Sequence, residues 1–235
     1  MKNYVSVSNI VKKFDKKISV QGDKSISIRW ALMASQAIGA SRAYNLLKSE
    51  DVKSTLKALK KIGVKVKNFK NYCEITGKGL NGFNVKKKIT IDAGNSGTLA
   101  RLILGLLVKT NQKITIKGDQ SLSKRDFFRV IKPLSMFGLN IKSKKNKLPI
   151  VFKGTDYLRP IFFEEKLGSA QVKSCIMLAS LNTPGITKIK CINSRDHTER
   201  FFKYLKIPIK IKKISKKHQL IEVEGKKQYN SFNYN

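Results

Sequence analysis

Acidic residues are scarce in this chain. Only 15 Asp and Glu stand against 49 Lys and Arg, a formal net charge of +34 over 235 residues. Cysteine is scarce too: Cys73, Cys175 and Cys191 are an odd number at spacings that suit no metal. That excludes a disulfide framework and fits a reducing cytoplasm. No apolar run reaches the roughly 18 residues of a membrane span. The most apolar stretch, residues 99–108, is short and carries Arg101. The first 17 residues hold no apolar core of a signal peptide, so a cytoplasmic chain is expected. Hydrophobic residues make up 41% of the chain, which excludes a disordered class and allows a proper core.

The basic excess points first to nucleic acid. Two features weigh against that reading. The excess is nearly all lysine, since arginine stands only at Arg29, Arg42, Arg101, Arg125, Arg129, Arg159, Arg195 and Arg200. Joint enrichment in Lys, Ile and Asn is the mark of drift in an AT-rich genome, which raises lysine everywhere. The lysines are also scattered, in runs such as 86–88, 142–147 and 210–217, and form no single arm. Aromatic residues are not interleaved with those runs, as a single-strand binder would require. Nucleic acid is therefore the second-ranked partner, while a general attraction for anions follows from the charge itself. In a lysine-rich chain, the positions held by arginine are the ones to examine.

Internal repetition organises the rest. Three segments begin with a polar, serine-containing turn and run into an apolar helical stretch: GDKSISIRWALMASQAIG, GNSGTLARLILGLLV and GSAQVKSCIMLASL. Their starting points, Lys24, Asn95 and Ser169, lie 71 and 74 residues apart. A second set follows them: SEDVKSTLKALKKIGVKV, SKRDFFRVIKPLSMFGLNI and SRDHTERFFKYLKIPIKI. Here Asp51, Arg125 and Asp196 lie 74 and 71 residues apart. Alternating apolar and polar residues then lead to Gly77, Gly154 and Gly225, with the period of a β-hairpin. The chain reads as an α/β fold of three tandem βαβαββ repeats. One unit cannot bury its own apolar faces. Three packed together can, with both helices of each unit buried on several sides and the sheets outside. The repeats occupy residues 21–228. Residues 1–20 fall outside them and read as one or two strands, Tyr4 to Val7 and Ile18 to Val20. The polar, aromatic tail 229–235 is expected to be weakly ordered or to begin something further.

The chemistry sits at helix starts. Lys24-Ser25, Asn95-Ser96-Gly97-Thr98, Ser169-Ala170-Gln171 and Ser194-Arg195 are the clearest. A helix N-terminus offers unpaired N–H donors and a partial positive charge. Serine hydroxyls and a Lys or Arg beside it suit a phosphate or a carboxylate. Gly97 would let a ligand approach the backbone closely. Each start alone is an ordinary N-cap. Threefold symmetry would bring the caps to one mouth, where they can converge on one anionic ligand. Arg29 lies on the first turns of its helix, Arg125 just before a helix, and Arg195 at the start of the last. Asp196 and His197 lack the context of a serine nucleophile, and Asp196 and Thr198 read as capping residues. GDKS lacks the upstream glycine of a P-loop. Trp30 and the three cysteines read as core.

In order and at near-family spacing, GDKSISIR, GNSGTLAR, GDQSLSKRDFFRVIKPL, SAQVKS and SRDHTER resemble the 5-enolpyruvylshikimate-3-phosphate (EPSP) synthase family, the 3-phosphoshikimate 1-carboxyvinyltransferases. The resemblance covers residues 20–207. It implies one domain of the enolpyruvyltransferase inside-out barrel. It also implies transfer of the enolpyruvyl group of phosphoenolpyruvate to the 5-hydroxyl of shikimate 3-phosphate, on the route to chorismate and the aromatic amino acids. The route is addition then elimination, with no metal and no cofactor. Lys24 matches a lysine between both substrates. Ser25, Arg29, Ser169, Ala170, Gln171, Ser194 and Arg195 match the shikimate 3-phosphate side. Asn95, Gly97 and Arg125 match the phosphoenolpyruvate side, towards which Gln171 also reaches. Lys24, Arg125 and Gln171 are the implied catalytic set.

The pattern departs from the family at three points: Gln21 and Asp126 replace proline, and Ile28 replaces histidine or asparagine. Gly97 keeps the small residue of the glyphosate-sensitive type, which makes glyphosate an expected ligand. Family members are nearly twice as long, with the active site in a cleft between two domains. The resemblance therefore implies half a cleft here, little turnover alone, and a missing half that another chain could supply. A UDP-N-acetylglucosamine enolpyruvyltransferase shares the fold and chemistry, but its helix-start motifs differ and no cysteine here sits in a glycine-rich loop.

Overall fold

The computed structural model describes residues 5–234, apart from 7, 11, 14, 19, 84 and 86. Three similar units follow one another. The first holds α1 (Lys24–Gln36), β1 (Ala40–Ala43), α2 (Glu50–Lys61), β2 (Lys65–Asn68) and β3 (Cys73–Thr76). The second holds β4 (Ile89–Asp92), α3 (Gly97–Leu106), β5 (Ile114–Lys117), a single turn α4 (Gln120–Ser123), α5 (Phe128–Met136), β6 (Asn140–Ser143) and β7 (Ile150–Lys153). The third holds β8 (Phe162–Glu165), α6 (Ala170–Leu181), β9 (Ile186–Ile192), α7 (His197–Tyr204), β10 (Ile209–Lys213) and β11 (His218–Glu224). A last short strand, β12 (Asn233–Tyr234), ends the chain.

Side-chain caps fix where the first helices begin. Asp23, Ser96 and Ser169 accept hydrogen bonds from the N–H groups of Ile26, Leu99 and Val172. Each cap occupies one of the first N–H donors and leaves others unpaired. The units also end alike. A side chain at Gly77, Gly154 or Gly225 would collide with backbone at Ala37, Thr110 or Thr183, just past the first helix of the same unit. The hairpin returns onto that helix end, and only glycine leaves room for it.

Each unit contributes one sheet of the same topology. The orders are β4-β5-β7-β6, β8-β9-β11-β10 and β12-β1-β3-β2. In each, the first pair is parallel and the others antiparallel. The first position of the first sheet is thus filled from the far end of the chain. This corrects the expectation of a weakly ordered tail. Tyr229 and Phe232 are buried, and the Tyr229 hydroxyl donates to the carbonyl of Met33 at 2.8 Å. The tail carries little helix period, but its rings have a core to enter. The expected N-terminal strands fall partly outside the described residues, at Tyr4, Val7 and Ser19. Among the described residues of 5–20 there is no strand.

The helices divide into two kinds. Residues 27–36 of α1, all of α3, and residues 172–181 of α6 are buried. They form the centre, with α3 packed along α6 and α1 against α3 and α7. The second helices α2, α5 and α7 bury only one stripe, which corrects the expectation that both helices of a unit are buried on several sides. Lys53, Lys57 and Lys60 on α2 keep its other face in solvent. Trp30 and all three cysteines are buried. Among the described residues no helix is long and apolar enough to cross a membrane.

Candidate active site

The three central helices share a device at their starts. On each, a polar side chain one turn in folds back to a first-turn carbonyl. Arg29 donates to Ser25 at 3.1 Å, Arg101 to Gly97 at 3.4 Å, and Ser174 to Ala170 at 2.6 Å. The spacing of four residues places donor and acceptor on one helix face.

These side chains then reach across helices. Arg29 Nε donates to Thr198 Oγ1 at 2.8 Å, and Arg29 Nη2 to Ser174 Oγ at 2.9 Å. Ser174 and Thr198 share a further bond of 2.7 Å. On the other side, Arg101 Nη1 donates to Gln171 Oε1 at 2.9 Å, and Gln171 Nε2 donates to Thr98 Oγ1 at 3.0 Å. Arg101 Nη2 also donates to the carbonyl of Asp126 at 3.2 Å, and its guanidinium lies 4.8 Å from the centre of the Phe127 ring. Hydrogen bonds thus join the first turns of α1, α7, α6 and α3 and the lead-in to α5. The helix starts gather at one end of the unit stack, each with donors left over.

The floor of this cluster is buried and its rim is open. Arg29, Gly97, Thr98, Arg101 and Thr198 are buried, whereas Lys24, Asn95, Arg125 and Arg195 are exposed. Arg125 nevertheless reaches in: a methyl built on Gly97 would lie 3.1 Å from its Nη1 and 2.8 Å from that of Arg101. The field is strongly positive. Burial holds the Arg29 guanidinium down at about 10, with the charge of Arg195 adding to the effect and Glu199 opposing it. Arg101 is lowered by burial and then by Arg129 and Arg125. Like charges held this close favour an anion among them.

The remaining expected residues are placed as follows. Lys24 Nζ stands 3.6 Å from Asp51 Oδ2 on the first turn of α2. Asn95 donates to Asp119 Oδ2 at 2.7 Å, which ties it to the cap of α4. Ser169 caps α6, and its N–H is held at 3.0 Å by the buried carboxylate of Glu165. Ser194 Oγ is buried with no protein partner among the described residues. Arg195 makes no hydrogen bond to the cluster but acts through charge on Arg29 and His197. Three of the five Arg29 N–H groups are spent inside the protein, so its geometry is that of a strut with two donors free. Asp196 and Thr198 are not simple caps. The Asp196 carboxylate pairs with Arg200 at 3.2 Å and makes no cap bond, and Thr198 serves Arg29.

Ser174 was not singled out from the sequence; Arg101 stood only among the arginines to examine, Thr98 only within a helix start, and Thr198 only as a capping residue. Arg101 and Ser174 carry a readable signal, one turn after Gly97 and Ala170. Thr198 meets Arg29 only through the fold. Among the described residues no three His, Cys, Asp or Glu side chains gather as metal ligands.

The family model of EPSP synthase, 3-phosphoshikimate 1-carboxyvinyltransferase, matches residues 8–235. The chain belongs to the EPSP synthase family. A 3-phosphoshikimate 1-carboxyvinyltransferase of Clostridium tetani is 40% identical over 212 residues, covering 89% of this chain and 47% of the relative. One of Ruthia magnifica is 45% identical over 188 residues, covering 79% and 43%. An EPSP synthase structure from Acinetobacter baumannii superposes with a TM-score of 0.82 at 32% identity, over 93% of this chain and 48% of its own. The chain therefore spans about half the length of the curated relatives it matches. Two departures from the EPSP synthase pattern have local roles. Ile28 is core, and Asp126 accepts the N–H of Phe128 at 2.9 Å while its carbonyl holds Arg101.

Proposed function

We propose that this chain forms one half of the cleft of a 3-phosphoshikimate 1-carboxyvinyltransferase, in the cytoplasm. Shikimate 3-phosphate lies against Lys24, Ser25, Arg29, Ser169, Ala170, Gln171, Ser194 and Arg195. Phosphoenolpyruvate lies against Lys24, Asn95, Gly97 and Arg125, with Gln171 between the two. The observation that carries this reading is the bonded junction Gln171–Arg101–Gly97, joined through the first turn of α6 to Arg29 and Thr198. One junction holds two anion-binding lobes side by side.

The reaction needs that juxtaposition. The 5-hydroxyl oxygen gives up its proton and bonds to C2 of phosphoenolpyruvate, while the C2–C3 double bond opens and the methylene carbon gains a proton. The C2–O bond to phosphate then breaks, the methyl group returns a proton, and the enol ether and inorganic phosphate leave. Preorganised guanidinium and N–H donors hold the anionic groups in register through both steps. Groups for proton transfer to and from the substrates belong largely to the other half of the cleft, which a second polypeptide segment supplies. Glyphosate competes for the phosphoenolpyruvate lobe.

Calorimetric titration and a phosphate-release assay test the reading together. The expected result is weak binding of shikimate 3-phosphate, weakened further by Arg195→Ala, and little phosphate release from the chain alone. Robust turnover by the 235-residue chain would contradict the half-cleft. Absence of any binding by the folded chain, in low salt, would remove the site.

A further inference from the structure

A groove of about 650 Å³ lies on the flank of the first unit, and none of the candidate-site residues lines it. It runs between the β1–α2 connection, one side of α2 and the β2–β3 turn. Leu46, Leu47 and Leu56 supply apolar floor. The wall is aromatic. Phe69 stacks on Tyr72 with ring centres 4.5 Å apart, and Tyr44 stands 5.7 Å from Tyr72. The Arg42 guanidinium lies 5.3 Å from the centre of the Tyr72 ring. Phe69 and Tyr44 remain 45% and 46% exposed, so the core does not account for them.

The repeat does not require this wall. Phe69 and Tyr72 flank a two-residue turn, Lys70-Asn71, closed by the Phe69 N–H on the Tyr72 carbonyl at 2.8 Å. The corresponding turns of the other units, KKNKLP at 144–149 and ISKK at 214–217, carry no aromatic residue. Cations complete the rim. Lys53 is paired with Glu50 at 2.7 Å, whereas Lys48 and Lys70 meet no carboxylate among the described residues.

We propose that this groove is a second ligand site, for a small planar anion: a flat aromatic ring bearing a carboxylate or a phosphate. The ring lies against Phe69 and Tyr44 over the leucine floor, and its charge meets Lys48 and Lys70. The volume falls in the ordinary range for small-ligand pockets, and π-stacking beside unpaired ammonium groups selects a ring and a negative charge together. The groove shares its β1–α2 wall with the start of α1. The Leu47 N–H donates to Ser27 Oγ at 3.1 Å, and the same connection leads to Asp51, the partner of Lys24. An occupant therefore bears on the segment that seats the first turn of α1.

Titration of the intact chain tests this with two ring-bearing anions, benzoate and adenosine 5′-monophosphate. Cyclohexanecarboxylate and ribose 5-phosphate serve as ring-free controls. The expected result is that at least one ring-bearing anion binds about tenfold more tightly than its control, and which one does so identifies the charged group. Phe69→Ala and Lys70→Ala should each weaken that binding about tenfold, and Lys70→Ala should do so with an unchanged thermal midpoint, since its side chain lies at an exposed turn. Arg125→Ala should leave it unchanged. Equal binding of ring-bearing and ring-free anions overturns the proposal. So does affinity that survives both groove substitutions, or that disappears with Arg125.

Discussion

At Gly97 a single methyl group decides how much room the anion lobe has. It would sit 2.8 Å from Arg101 Nη1 and 3.1 Å from Arg125 Nη1, both at the far ends of flexible side chains. Those ends can yield, so Gly97→Ala should fold with a stability change under about 1 kcal/mol. The cost falls on the site, because the two guanidiniums move off the position where an anion meets them. Titration with phosphoenolpyruvate or glyphosate should show weaker binding than wild type, and undiminished affinity would mean that neither ligand lies over Gly97. His197 reports on the other lobe. Burial lowers its titration below the usual 6.5, and the charges of Arg29 and Arg195 add to this. Between the lowered value and 6.5 the unfolded chain holds more protons than the folded one. The contribution of His197 to stability is therefore whole above 6.5 and declines as the pH falls through that window. Urea midpoints should drop more steeply on acidification in wild type than in His197→Gln. Inorganic phosphate seated between Arg29 and Arg195 should raise the His197 titration followed by NMR, and no movement would place the anion elsewhere.

Among the elements, α6 and α7 are joined by a buried ion pair beneath the anion site. Lys173 Nζ lies 2.5 Å from Glu199 Oε1, with side chains 0% and 2% exposed. Removing one partner strands a buried charge. Lys173→Met and Glu199→Leu should each cost about 3–5 kcal/mol, while the double variant Lys173→Met/Glu199→Leu costs far less than the sum. A double-mutant cycle by urea denaturation measures this, and additive losses would mean that the pair carries no coupling. Element starts were legible in the sequence. The polar turns that hold Lys24, Asn95 and Ser169 mark α1, α3 and α6, capped by Asp23, Ser96 and Ser169, because a polar cap before an apolar run has few alternatives. The contacts between elements were not. Nothing local says that Arg29 meets Thr198, 169 residues away, or that Gln171 meets Arg101. The fold-back from Arg101 to Gly97 and from Ser174 to Ala170 could have been read from spacing alone. The lysines of α2 also signalled its open face, since a helix bearing Lys53, Lys57 and Lys60 cannot be buried all round.

On the scale of the molecule, the repeat period of 71 to 74 residues foretold three like sheets. What it could not foretell is how the set closes, because a parallel pairing of Arg42 with Asn233 leaves no periodic trace in a two-residue strand. That closure has a mechanical consequence. Phe232 and Tyr234 pack on Phe201 of α7 at ring distances of 6.3 and 5.1 Å, while β12 pairs with β1 beyond the end of α1. The tail thus clamps the first unit to the third, and the Arg29–Thr198 bond spans that same junction. Deleting residues 229–235 removes two buried rings, Tyr229 and Phe232, and should cost at least about 3 kcal/mol in urea denaturation. Tyr229→Phe removes only the hydroxyl bond to Met33 and should cost about 1 kcal/mol. The truncated chain should also lose phosphate affinity under conditions where it is still folded, because α1 and α7 are then free to shift and the Arg29 strut loses its far anchor. A truncated chain that keeps both full stability and full affinity would show that the first and third units hold each other without the strand between them.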